Sequence, residues 1–399
     1  MLNANMMLEA TRLTRAGRAA EAAALLQRML RGETDPDMSF RHAAGPTPPT
    51  IDVKAGTIGE PARPFFGTTA AAQPDRFAGL RMLFDRVRRR RSPAPVPTAD
   101  ILPPGGKFIE ATCSNAAGTR AYKLFIPSRY QGEALPLVVM LHGCTQSPDD
   151  FAAGTRMNLI AEEQTCLVVY PAQPSDANPA KCWNWFRPGD QRRGQGEPSL
   201  IADITRKVMR EYSVDQKRVY IAGLSAGGAA AAIMGATYPD LYAAVGVHSG
   251  LACGAANDLP SAVVAMRQGD LADSLGSREV SSDLRNGPAV PIIVFHGDRD
   301  TTVHPRNGDH VIARSIGTMN ARKTVHQGQV PGGHSYTRTM HADPSGRAIF
   351  EHWEIHGAAH AWSGGSPTGS YTDPRGPDAT REMLRFFLEH RGQTLDRGE

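Results

Sequence analysis

The chain has 399 residues, 41% apolar and 21% charged, an ordinary globular balance over a length that suggests two domains or one large domain with appendages. A formal net charge of +4 is too small at this size to argue for nucleic acid, and no apolar run approaches the roughly 18 residues needed to cross a bilayer. Five scattered cysteines without a CxxC pair give neither a disulfide scaffold nor a zinc signature, so no metal is expected.

Residues 1–32 have the spacing of two short helices. Met6, Ala10 and Leu13 share a face, Gly17 interrupts it, and Ala22, Leu25, Leu26 and Met29 resume it. Leu13-Thr-Arg-Ala-Gly-Arg, followed by Glu21-Ala and Leu25-Leu26, looks like one tetratricopeptide-type hairpin. No second copy follows, and a solenoid needs about three repeats. The preferred reading is an amphipathic appendage docked on the main body or on a second subunit; the alternative is a partner-recruiting element. Glu9, Arg12, Arg15, Arg18 and Glu21 break the apolar run that a secretory leader requires, so the expected location is the cytoplasm.

Residues 33–104 read as an extended linker, broken by Pro46, Pro48, Pro49, Pro61, Pro64, Pro93, Pro95, Pro97, Pro103 and Pro104. A short helix is predicted over Phe77 to Val87, running into Arg86-Val-Arg88-Arg-Arg-Arg91. A solvated charge run is the preferred reading of those arginines; contact with RNA, an anionic membrane or an acidic polymer is the alternative. Homodimerisation or granule association through this N-terminal region is the macromolecular contact expected.

From Lys107 the texture changes. Phe108 to Ser114 and Ala121 to Ile126 alternate as strands around a turn at Ala116-Ala-Gly118. Continuous apolar runs follow at 136–141, 166–170, 218–222, 243–247 and 292–295, as a sheet buried on both faces requires. Helical patterns at 149–163, 200–212 and 226–237 separate them. The reading is an α/β catalytic domain over residues 105–393, built on a mostly parallel, doubly wound sheet.

Gly223-Leu-Ser225-Ala-Gly227 follows one of these strands and opens the helix at 226–237. A tight strand-to-helix turn needs small residues beside a serine whose oxygen stands exposed above the sheet. The helix N-terminus beneath favours developing negative charge. Ser225 is therefore the expected nucleophile, and an α/β hydrolase then places an acid and a histidine later in the chain. Strand 292–295 ends in His296-Gly-Asp298-Arg-Asp300, where both aspartates qualify. Asp300 is preferred, with Asp298 capping the loop or a helix starting near His304. The final strand, 349–355, leads to Gly357-Ala-Ala-His360, and His360 is the expected base. His248, near a strand end, reads as structural or pocket-lining. Oxyanion donors are expected from the N–H of Ala226 and one in the loop His142-Gly-Cys144-Thr-Gln146, preferably Cys144.

These pieces, with Cys182-Trp-Asn-Trp185-Phe and His360-Ala-Trp362, resemble the polyhydroxybutyrate depolymerase-like esterases, relatives of feruloyl and acetylxylan esterases. The resemblance covers roughly residues 105 to 391. It implies Asp300 rather than Asp298 as the acid and the Cys144 N–H as an oxyanion donor. It brings Thr145, Gln146, Trp183, Trp185 and Trp362 forward as substrate-binding residues. The tryptophans either grip the acyl or aromatic part of an ester or cover the triad. A Cys144–Cys182 bond would tie the tryptophan loop to the oxyanion loop, though a reducing cytoplasm disfavours it.

The expected reaction is acyl transfer to water through an acyl-enzyme on Ser225, with no cofactor. Hydroxyalkanoate oligomers or similar small esters are the expected substrates, feruloyl or acetyl esters the alternative, and a granule- or scaffold-binding role the least favoured.

Overall fold

The computed structural model describes residues 101–269, 290–317, 319 and 321–392. The expected hairpin at 1–32 and the linker up to residue 100, with its arginine run, lie outside them. The described residues begin ahead of the boundary expected at 105. Ile101 is buried beside Phe125 and Val138, and its carbonyl accepts a 2.8 Å hydrogen bond from Asn158 Nδ2.

Strands β1 (Lys107–Asn115) and β2 (Gly118–Ile126) form the predicted antiparallel hairpin. There follow β3 (Leu135–Leu141), α1 (Pro148–Thr155), α2 (Met157–Gln164), β4 (Leu167–Pro171), α3 (Gly196–Glu211), β5 (Val214–Leu224) and α4 (Ala226–Thr237). Then come β6 (Ala244–His248), α5 (Leu259–Gln268), β7 (Ile292–Gly297), α6 (Arg306–Ile316), β8 (Arg322–Gln329), β9 (Ser335–Ala342) and β10 (Ala348–Ile355). A two-stranded pair, β11 (Trp362–Ser363) and β12 (Thr372–Asp373), precedes α7 (Ala379–Leu388).

The main sheet runs β1-β2-β4-β3-β5-β6-β7-β10-β9-β8. Its centre, β4 through β10, is parallel; β1–β2 and β9–β8 flank it antiparallel. The period-2 alternation of the strands sorts their apolar side chains between two cores. Leu137, Val139, Ile221 and Val247 pack with α3, α4 and α6 on one face. Val138, Met140, Tyr220 and Phe295 pack with α1, α2 and α7 on the other. Full burial of each such aliphatic side chain stabilises by roughly 1.5–3 kcal/mol.

Two departures from the sequence reading matter. The helix expected at 149–163 is two helices, because Arg156 takes the left-handed conformation (φ 55°) and sends Nη2 to the Gly364 carbonyl. The β8–β9 hairpin was not expected; β8 is exposed on both faces and carries no apolar stripe to announce it. Among the described residues no helix is long and apolar enough to cross a membrane.

Candidate active site

β5 ends at Leu224 and α4 begins at Ala226, so Ser225 alone turns the chain. It has φ 58° and ψ −119°, a strained backbone that persists only where its surroundings enforce it. Ser225 N–H donates to His248 O at 2.9 Å. The flanking glycines are required by crowding. A Cβ on Gly223 would lie 2.3 Å from the Gly227 carbonyl, and one on Gly227 2.1 Å from Leu141 O.

The sheet register brings the remaining candidates to the same edge. Leu224 pairs with His248, His248 with Phe295, and Phe295 with Trp353. The loops leaving β5, β7 and β10 therefore emerge side by side, carrying Ser225, Asp300 and His360.

Asp300 Oδ2 lies 2.6 Å from His360 Nδ1, and Oδ1 accepts from the N–H groups of Thr302 and Val303 at 2.8 Å each. Burial works to raise the proton affinity of this carboxyl. The charge of His360 and the hydrogen bonds of His296 and His360 outweigh it, holding Asp300 well below the usual carboxylate range. His360 Nδ1 donates to that carboxylate, which leaves Nε2 as the nitrogen able to take a proton. Among the described residues Ser225 Oγ has no hydrogen-bond partner. The structure thus joins Asp300 to His360 and places Ser225 at the same edge without a hydrogen bond to either; such contacts commonly tighten only with substrate.

A helix does start close to His304, α6 at Arg306, but Asp298 caps neither it nor its own loop. Its Oδ1 accepts from Gly357 N–H at 2.7 Å and its Oδ2 lies 3.2 Å from His356 Nδ1. Asp298 therefore anchors the loop that carries His360. His248 is fully buried and stacks on Trp362 and Phe295; its Nε2 accepts from Ser363 N–H at 2.9 Å. Burial, with nearby His296 adding to it, lowers its pKa well below that of an ordinary histidine, so it packs as a neutral support.

In the loop after β3, Gly143 N–H donates to Gln146 Oε1, Thr145 N–H to Ala180 O and Gln146 N–H to Gly143 O. The Cys144 N–H has no acceptor among the described residues. Ala226, first residue of α4, has no intrahelical acceptor for its N–H either. Cys144, Ala226 and Ser225 line one narrow cleft. Its other walls are apolar: Trp185, Phe186, Leu251 and Val303, with Leu259, Ala262 and Met266 from α5. Cys144 and Cys182 form a disulfide within this wall.

Of the substrate-binding candidates, Trp185 lines the cleft and Thr145 is exposed at its own loop, with Oγ1 3.2 Å from Tyr371 Oη. Three others are corrected. Trp183 is fully buried and donates Nε1–H to His142 O. Trp362 is buried between Phe151 and His248 and donates to Thr380 Oγ1. Gln146 is buried, with its amide spent on Gly143, Asp150 and Ser370. None of the three has a face or a polar atom left for a ligand. Among the described residues, no group of three or more His, Cys, Asp or Glu is placed to hold a metal.

The family model for Esterase PHB depolymerase matches residues 120–327, just over half of the chain. The chain belongs to this family. It is 33% identical over 244 residues to poly(3-hydroxyalkanoate) depolymerase C of Paucimonas lemoignei, covering 59% of this chain and 56% of that protein. It is 27% identical over 206 residues to the probable acetylxylan esterase A of Neosartorya fischeri, covering 49% of this chain and 54% of that one. The chain thus spans a little over half the length of these curated relatives. Among solved structures, the acetyl xylan esterase from Aspergillus awamori superposes with a TM-score of 0.54 at 19% identity, over 71% of this chain and 99% of that one. The fold is that of the α/β hydrolases.

Proposed function

We propose that this protein is a serine carboxylic-ester hydrolase. The observation that carries the reading is the buried Asp300–His360 pair at 2.6 Å, set at the same sheet edge as a strained serine elbow. Membership of an esterase family supports it independently. His360 Nε2 takes the Ser225 hydroxyl proton as Oγ attacks the ester carbonyl carbon. The carbonyl oxygen becomes an oxyanion facing the Cys144 and Ala226 N–H groups. The bond to the alkoxy oxygen breaks, the alcohol leaves with the proton from His360, and an acyl-Ser225 remains. Water, deprotonated by the same nitrogen, then releases the acid.

The substrate we favour is a hydroxyalkanoate oligomer or a similar small aliphatic ester, because the cleft wall beside Ser225 is narrow and apolar. A feruloyl or acetyl ester is the second reading; the apolar wall beside Trp185 and Phe186 would suit an aromatic acyl group. The compartment is open to the same reasoning. A cytoplasmic location sits poorly with a disulfide in the cleft wall, which an oxidising compartment would preserve.

The test is turnover of p-nitrophenyl butyrate, followed by competition with hydroxybutyrate oligomers and with methyl ferulate. Inhibition by the oligomers alone supports the favoured substrate, and inhibition by ferulate alone selects the second. No turnover of the chromogenic ester refutes the hydrolase.

A further inference from the structure

We infer that His142 is a positioning residue that aims the Cys144 N–H at the oxyanion. This rests on the ester-hydrolase reading above. His142 ends the run after β3 and is buried. Gln173 N–H donates to its Nε2 at 3.0 Å, so that nitrogen is an acceptor and carries no proton. The proton is on Nδ1, which lies 2.8 Å from Gly143 O and donates to it. The Gly143 carbonyl and the Cys144 N–H belong to one planar trans peptide, so they point in opposite directions. Tying the carbonyl to His142 fixes that plane and turns the N–H outward, into the cleft that Cys144 shares with Ser225 and Ala226.

The imidazole is itself held from behind. Gln173 Nε2 donates to Cys182 O at 3.0 Å and to Glu197 Oε1 at 2.5 Å, and Arg120 Nε donates to Gln173 Oε1 at 3.1 Å. Glu197 also accepts from Asn184 N–H and Nδ2 at 2.7 and 2.6 Å. One buried carboxylate therefore links α3, the tryptophan loop and, through Gln173 and His142, the oxyanion loop. Burial lowers the His142 pKa to about 4, keeping the ring in the neutral form this arrangement needs.

Asparagine places its amide near the Nδ1 position and glutamine near Nε2, so two variants separate the two hydrogen bonds. His142→Asn retains the donor to Gly143 O; His142→Gln retains only the acceptor for Gln173 N–H. On p-nitrophenyl butyrate, kcat should stay within about tenfold of wild type in His142→Asn and fall about 10²-fold in His142→Gln, the loss typical of one oxyanion donor. KM should stay within about threefold in both, and a butylboronic acid transition-state mimic should bind more weakly to His142→Gln in proportion to kcat. Equal losses in the two variants, or a loss confined to KM, overturn the inference. Because a buried variant can fail to fold, ¹⁵N NMR of the wild-type protein gives a second test: His142 must show the Nδ1–H tautomer, and the Nε2–H tautomer overturns the inference. A wild type that hydrolyses no ester refutes the underlying reading instead.

Discussion

His360 Nδ1 lies 2.6 Å from Asp300 Oδ2, while Asp298, two residues earlier, spends both oxygens on the Gly357 N–H and on His356. The two carboxylates thus divide the work between them. One fixes the histidine tautomer, and the other holds the loop on which that histidine rides. Asp300→Asn should lower kcat by about 10⁴-fold, as loss of the tautomer-fixing acid does. Asp298→Asn keeps one acceptor for the Gly357 N–H and should lower kcat by less than about tenfold. Steady-state kinetics on p-nitrophenyl butyrate decides; a crippled Asp298→Asn beside an active Asp300→Asn reverses the assignment.

The α5 wall of the cleft should set acyl length. Ala262 and Met266 face the same space as Ser225, and one methylene in an apolar pocket is worth roughly 1–3 kcal/mol of discrimination. Ala262→Leu should cut kcat/KM for p-nitrophenyl butyrate at least about tenfold while acetate changes less than about threefold. Met266→Ala should move the optimum toward longer chains. A chain-length profile unmoved by both substitutions places the acyl group elsewhere.

Acid should destabilise the fold through its buried histidines. His142 is held neutral down to about pH 4 and His352 to about 3, and His248 is also lowered, in each case chiefly by burial. The unfolded chain takes up these protons near pH 6.5, so it binds more protons than the folded state below that pH, and stability falls as pH drops. For His142 alone the loss by pH 4 is about 3 kcal/mol. Glu197 opposes this. Burial first, and Asp190 second, raise its pKa from 4.5 to about 6, so it costs stability as pH rises through that window. One carboxyl is outweighed by three imidazoles. The melting temperature should fall between pH 6.5 and 4.5, and a flat or rising profile contradicts the neutral assignment of these rings.

Much of this architecture was legible in the sequence, for a physical reason. A strand buried on both faces must be apolar throughout, so the runs at 136–141 and 292–295 stood out, and the serine elbow needs small residues at fixed offsets. The β8–β9 hairpin was not legible because Arg322–Gln329 is exposed on both faces and owes its place to pairing with β9, which itself pairs with β10, rather than to its own pattern. α7 did carry a signal, with Ala379, Met383, Leu384 and Phe387 on one buried face, and periodicity alone would have found it. The tryptophans show a different limit. Proximity in sequence to a catalytic loop does not tell a lining side chain such as Trp185 from packed ones such as Trp183 and Trp362. The chain from Glu197 through Gln173 to His142 joins residues far apart in sequence, and no local motif encodes it.

The most direct test of the central claim is hydrolysis of p-nitrophenyl butyrate by Ser225→Ala beside the wild type, with melting temperature measured on both. Ser225 is buried at the turn, but its hydroxyl has no hydrogen-bond partner among the described residues, so melting should change little. The predicted kcat loss is about 10⁶-fold, that of a missing nucleophile, together with the disappearance of a butyryl adduct from the intact mass of the protein quenched during turnover. A folded Ser225→Ala protein that hydrolyses the ester at the wild-type rate would contradict the account.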